Sequence, residues 1–246
     1  MKATQVDLVL AIDCSQSMKP CFDGLVEHLG KLIKPLEGEA FHLRIGVVAM
    51  AASKQSHGGV LYQMFGLSDR NLSDVLYGDN DTERKLLFTA DTDRVLHMLR
   101  SVPVEGDEDL LLLLDFAADF PFDSSPRTRR VVALFSDERI EDGTAGAEEF
   151  ALFGSLCKKY MDRRIKLFAA LPLSPAAEQL AAIDGSEIEP IDGGDGLQRV
   201  DFSKLLGAMA KSISVSSLQA SPHERYQRAL FGQDTWVDGT GEMTGA

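Results

Sequence analysis

The sequence predicts an α/β fold with a doubly wound, mostly parallel central sheet flanked by helices on both faces. Three observations carry that expectation. Short apolar runs at 6–12, 43–52, 129–137 and 165–173 alternate with longer segments of helical spacing. The runs are apolar on both faces, as in strands covered by helices on both sides of a sheet. Two of them close on an aspartate, Asp13 and Asp137, which places acidic chemistry at strand carboxyl ends, where open parallel sheets bind ligands.

VDLVLAI (6–12) is short and rich in β-branched residues. Phe22, Leu25, Val26, Leu29, Leu32, Ile33 and Leu36 recur at helical spacing, with Pro20 near the start and Gly38 just past the end, so 22–36 reads as a helix. LRIGVVAMAA (43–52) is a second strand, and VLYQMFGL (60–67) a third, reached through a polar, glycine-containing turn. Residues 68–87 read as polar and irregular. A short helix follows at 93–101, with Val95, Leu96, Leu99 and Val102 on one side. LLLLLDFAADF (110–120) reads as a buried helix, because the acidic run before it resembles a helix start and Ala117 and Ala118 extend the helical pattern. RRVVALFSD (129–137) is a strand, and 145–161 an amphipathic helix carrying Phe150, Phe153, Leu156 and Tyr160. IKLFAALPL (165–173) is a strand, 175–183 a helix, and EIEPI (187–191) an edge strand that tolerates its proline. Phe202–Ile213 closes the domain as a helix.

The 246 residues suffice for one α/β domain of about 200 residues plus an appendage. With 44% apolar and 26% charged residues, the chain is expected to build a sizeable core. A formal net charge of −13 opposes binding to nucleic acid or to an anionic membrane and favours metal ions and basic protein surfaces. Cys14, Cys21 and Cys157 are odd in number and form no C-x-x-C pair, which argues against a disulfide scaffold or zinc knuckle and suits a reducing compartment. Cys14 is expected to pack beneath its loop, since no basic neighbour in sequence activates it. Asp7 and Asp13 interrupt the N-terminal apolar run, so no signal peptide is expected, and no stretch approaches a membrane span. A cytoplasmic location is the expectation.

The domain is expected to span 1–214. The segment 215–246 differs in character, with the one tryptophan and a Gly/Thr-rich end. It reads either as a poorly ordered terminus or as a docking segment anchored by Tyr226, Leu230, Phe231 and Trp236.

Asp13, Ser15 and Ser17 alternate immediately after the first strand, so their oxygens can point at one spot. A carboxylate with two hydroxyls is hard-cation chemistry and suits Mg²⁺, with Ca²⁺ or Mn²⁺ as alternatives. This D-x-S-x-S pattern, with Asp137 in LFSDER, resembles the metal-ion-dependent adhesion site of von Willebrand factor type A (VWA) domains, over roughly residues 4–214. The resemblance implies a Rossmann-like sheet, a bound Mg²⁺ and a protein partner that offers an Asp or Glu to the metal. In that family a middle loop supplies a threonine; here Glu105-Gly106-Asp107-Glu108-Asp109 stands there. Asp107 is the implied ligand, Asp109 the runner-up, and a helix cap the structural alternative for either. At 136 and 138 the chain has Ser and Glu where the family often has Thr and Gly. A third carboxylate should hold the ion more tightly and make it a weaker acceptor of a partner carboxylate.

The resemblance further implies a non-enzymatic interaction or adaptor module. Intracellular bacterial members of that family often work beside AAA+ ATPases, kinases or phosphatases, including in stress and phage-conflict systems. Two alternatives use the same residues. One is a metal-dependent phosphohydrolase, for which no nucleophile or general base is positioned by sequence. The other is a structural subunit whose metal only stabilises the fold. A haloacid-dehalogenase-type phosphatase needs a second Asp where Ser15 stands, and no P-loop, G-x-S-x-G or G-x-G-x-x-G occurs. His28, His42, His57, His97 and His223 lack ligand spacing. The basic residues at 127–130 and 158–164 read as solvated flanks, with partner contact as the alternative.

Overall fold

A computed structural model describes residues 4–36, 41–52, 59–62, 72–142 and 153–192. Six strands form one sheet: β1 (Thr4–Asp13), β2 (Phe41–Ala52), β3 (Gly59–Tyr62), β4 (Thr128–Phe135), β5 (Ile165–Pro172) and β6 (Glu187–Ile191). Their order is β3-β2-β1-β4-β5-β6, parallel throughout except that β3 runs antiparallel to β2. The helices are α1 (Lys19–Leu36), α2 (Leu72–Tyr77), α3 (Asp81–Lys85), α4 (Thr92–Leu99), α5 (Leu110–Asp119), α6 (Phe153–Asp162) and α7 (Pro175–Ala181).

The period of two along β1 divides the core. Val6, Leu8, Leu10 and Ile12 face α1 and α4, where they meet Phe22, Leu25, Leu29, Ile33, Val95 and Leu99. Val9 and Ala11 face the opposite layer, built from the leucines of α5, Leu156 and Tyr160 of α6, and Ala177 and Leu180 of α7. Each of these strand residues is fully buried, so the uninterrupted apolar run of β1 follows from a helix layer on either side.

α5 is a helix, as its alanine pair and preceding acids predict. Asp109 caps it by accepting from the Leu112 N–H at 3.0 Å. The fully buried Tyr160 hydroxyl donates to the Leu114 carbonyl at 2.9 Å and ties α6 to it. β6 is an edge strand containing Pro190, as expected.

One expectation is corrected. Residues 72–77 and 81–85 of the segment read as irregular form two short helices. Val75 and Leu76 bury against the α5 layer, and the Asn80 side chain accepts from the Thr82 N–H at the start of α3. Helices of five or six residues are too short to leave a readable period. The rest of the expected third strand (63–67), the front of the 145–161 helix, the closing helix at 202–213 and the tail anchors Tyr226, Leu230, Phe231 and Trp236 lie outside the described residues.

Arg127, Lys158 and Arg164 are exposed, as solvated flanks are, whereas Arg130, Lys159 and Arg163 also bond within the fold. Lys159 donates to Asp115 and Asp119, each at 2.7 Å, and Arg163 reaches Asp119 and the Ala118 carbonyl, both at 2.7 Å. Arg130 donates to the backbone carbonyls of Asp123 and Arg163. At the amino end of β1, buried Asp7 takes a two-pronged ion pair from Arg44 of β2 at 2.9 and 2.7 Å. It also accepts from the Asp123 N–H.

Candidate metal centre

β1 lies between β2 and β4, and the chain winds outward from it in both directions, so strand order reverses there. At such a switch point the crossovers leave in opposite directions and open a crevice past the carboxyl ends. Pairing of Ile12 with Phe135 is the last step of the β1–β4 register, so Asp13 emerges beside Ser136 and Asp137.

The Asp13 carboxylate is 1% exposed and accepts at both oxygens: Oδ1 from the Ser15 N–H at 2.8 Å, Oδ2 from the Ser136 hydroxyl at 2.8 Å. Ser15 Oγ lies 2.9 Å from Ser17 Oγ, and Ser17 Oγ donates to Asp137 Oδ1 at 2.9 Å. Asp13, Ser15, Ser17 and Asp137, separated by up to 124 positions, thus form one hydrogen-bonded line whose first link is the Ser15 N–H and whose others join side-chain oxygens. Ser15 and Asp137 are buried, whereas Ser17 is exposed and marks the solvent side.

Burial lifts the Asp13 carboxyl from its ordinary 3.8 to about 6; hydrogen bonds from Ser15 and Ser136 oppose the rise and the charge of Asp137 adds to it. The site therefore holds a carboxylate that is costly to ionise unless positive charge arrives.

The middle loop is fastened to the first. Gln16 donates its N–H to the Gly106 carbonyl at 3.1 Å, and Glu105 donates to the Cys14 carbonyl at 2.9 Å. Gly106 has φ +83°, a left-handed turn that glycine adopts without cost. Asp107 follows, half-buried, and its charge acts on Glu108 and Glu138. Among the described residues, no three His, Cys, Asp or Glu side chains form a group able to hold a metal. Hydrogen bonding unites the two end-of-strand aspartates with Ser15, Ser17 and Ser136. Asp109 Oδ1 caps α5, the structural alternative expected for it.

Two further side chains face this cluster without belonging to the motif. Ser136, fully buried, bonds Asp13 directly. Glu108 is pushed up to about 8 by burial, by a hydrogen bond with Asp107, and by the charges of Asp107 and Asp13. Strand register would have revealed Ser136, and register is not visible in a single sequence. Cys14 is fully buried and its sulfur points to the Ile12 carbonyl; burial, reinforced by Asp13, pushes the thiol far up. Burial and Asp137 push Cys21 up to about 12, so neither thiol is reactive.

The donor set fits a hard divalent cation. Every donor is oxygen, two are carboxylates, and two are hydroxyls already aligned with them. Mg²⁺ commonly keeps several waters beside one or two carboxylates, which is what this number of acids allows.

No family model matches the sequence, and no curated protein matches it at a significant level. Solved structures do match in fold. The SpRpn10 VWA domain superposes with a TM-score of 0.52 at 12% identity, covering 84% of this chain and 95% of that one. A von Willebrand factor type A protein from Catenulispora acidiphila gives 0.51 at 14% identity, over 88% of this chain and 43% of that one. Proximal thread matrix protein 1 from the mussel byssus gives 0.54 at 14% identity, over 86% and 49%. The chain spans less than half the length of the latter two structures.

Proposed function

The chain has the von Willebrand factor type A fold, and from that premise we propose that it is a non-enzymatic, Mg²⁺-dependent protein-interaction module. The observation that carries the proposal is the hydrogen-bonded line Asp13–Ser15–Ser17–Asp137 at the switch point of the sheet. Asp13 and Asp137 would hold the ion as carboxylates, Ser15 and Ser17 as hydroxyls, and Asp107 through water. When bound, Mg²⁺ would offer an acceptor position for a carboxylate oxygen of a partner protein.

The chain's own residues govern what approaches. Ser17 is the exposed donor, so a partner's Asp or Glu would enter on its side. Glu108 and Glu138 add acid beside Asp13, Asp107 and Asp137. A partner carboxylate flanked by lysine or arginine fits such a rim better than an isolated acid. A place beside an AAA+ ATPase, kinase or phosphatase, as an adaptor in a bacterial multi-protein system, belongs to this proposal through the sequence resemblance.

The test is calorimetric titration of Mg²⁺ into metal-free protein, paired with a generic phosphate monoester assay. Binding that Asp13→Asn abolishes, without turnover, is the expected result. Turnover abolished by the same substitution would replace the module with a phosphohydrolase. Deep burial of Asp13, Ser15 and Asp137 favours a second reading, in which the ion serves only to clamp the fold. That reading expects Asp13→Ala to lower thermal stability in Mg²⁺ while partner capture survives EDTA.

A further inference from the structure

The Ser136 side chain sits where three strands end. Its N–H donates to the Ala170 carbonyl of β5 at 3.1 Å, which fixes its backbone. Its Oγ accepts from the Glu138 N–H at 3.1 Å and lies 2.8 Å from Asp13 Oδ2. A serine hydroxyl carries one proton, and Asp13 Oδ2 is the acceptor facing it, so that proton goes to Asp13. The accepted bond from Glu138 fixes the hydroxyl's direction. Ser136 is fully buried, so no water competes for either bond.

The next residue in the chain is Asp137. One short segment therefore grips the first carboxylate and carries the second. The two acids repel each other, and burial strengthens that repulsion. We propose that Ser136 is a positioning residue that sets the separation of the Asp13 and Asp137 carboxylates for a single divalent cation. The inference rests on the Mg²⁺ reading above, and Ser136 itself touches no ion. By bonding Asp13 Oδ2 from one side and leaving Oδ1 to the Ser15 N–H, the hydroxyl fixes the plane of the carboxylate. Without it, Asp13 is free to turn away from Asp137. Outer-shell partners of this kind typically change metal affinity about 10- to 100-fold when removed.

The experiment measures Mg²⁺ affinity by calorimetry, and melting temperature in EDTA, for the full chain and for Ser136→Ala, Ser136→Thr and Asp13→Asn. The expected result is a loss of at least about 10-fold in Mg²⁺ affinity for Ser136→Ala, with affinity retained by Ser136→Thr, which keeps the hydroxyl. Unchanged affinity in Ser136→Ala, while Asp13→Asn loses binding, overturns the inference and leaves the Mg²⁺ reading standing. Unchanged affinity with a lower melting temperature in EDTA assigns Ser136 a purely structural role and overturns it likewise. An equal loss in the Thr and Ala variants also overturns it, since the hydroxyl is then not the cause. Absence of Mg²⁺ binding by the unaltered chain overturns both.

Discussion

Asp13→Asn should have opposite consequences with and without Mg²⁺, and the sign follows from the burial of one carboxyl. In the metal-free fold Asp13 titrates at about 6, displaced upward from 3.8 chiefly by burial. A raised carboxyl favours the folded state while protonated, so its stabilising effect is complete below about 4 and is lost as pH rises through 6. At about 1.4 kcal/mol per tenfold change in proton affinity, the ionised form costs the metal-free fold about 3 kcal/mol at pH 7.5. Asparagine keeps the shape and removes the charge. Its oxygen can accept from the Ser15 N–H, and its amide can donate to Ser136 Oγ, whose proton then turns elsewhere.

In EDTA at pH 7.5, Asp13→Asn should therefore raise the melting temperature, by up to roughly 5–10 °C for a domain of this size. At pH 4, where the native carboxyl is itself protonated, the gain should vanish. In saturating Mg²⁺ the order should reverse, because the unaltered chain gains the binding energy and the variant does not. Differential scanning fluorimetry across pH, with and without Mg²⁺, reads all three. A variant less stable than the unaltered chain in EDTA at pH 7.5 would refute the reasoning: Asp13 would then be held as a charge by the fold alone.

Other perturbations test other parts. Asp107→Thr removes one carboxylate from the middle loop and should weaken Mg²⁺ binding in a calorimetric titration; unchanged affinity would remove Asp107 from the site. Gly46→Ala places a Cβ 2.7 Å from the Phe120 ring and 3.2 Å from the Leu87 carbonyl. It should cost about 1–3 kcal/mol in urea unfolding. Arg44→Met strips fully buried Asp7 of its two-pronged partner and should cost about 3–5 kcal/mol at pH 7. The same urea titration would record that loss, and an unchanged midpoint would show that the Arg44 pair adds nothing to the fold.

The fold was legible because its strongest signals are local. β1, β2, β4 and β5 announce themselves as runs with no polar face, and α1 and α4 by the spacing of their buried residues. The five leucines of α5 are ambiguous between strand and helix, and the Asp109 cap with Ala117 and Ala118 decides for the helix. α2 and α3 escaped because they are held by Val75, Leu76 and the Asn80 cap, not by periodicity. Half the candidate site was legible for the same reason: Asp13, Ser15 and Ser17 are neighbours in sequence. Asp137 was found through its place at a strand end, whereas Ser136 needed the pairing of Ile12 with Phe135, which is tertiary information.

That division explains why Asp107 and Asp109, two residues apart, take different roles. The sequence resemblance offers both as ligands because both lie in the loop that stands where the family has its middle-loop threonine. Asp109 serves the helix, since an uncapped first turn leaves N–H groups without acceptors and Asp109 satisfies Leu112. Asp107 instead follows a left-handed glycine whose carbonyl is bonded to Gln16. The bond fastens the middle loop to the first loop, with Asp107 hydrogen-bonded to Glu108. The Asp107 carboxylate adds negative charge that reaches Glu108 and Glu138. Under the Mg²⁺ proposal, that charge would deepen the potential that draws the cation in, while the serine hydroxyls and the two end-of-strand aspartates would shape its seat.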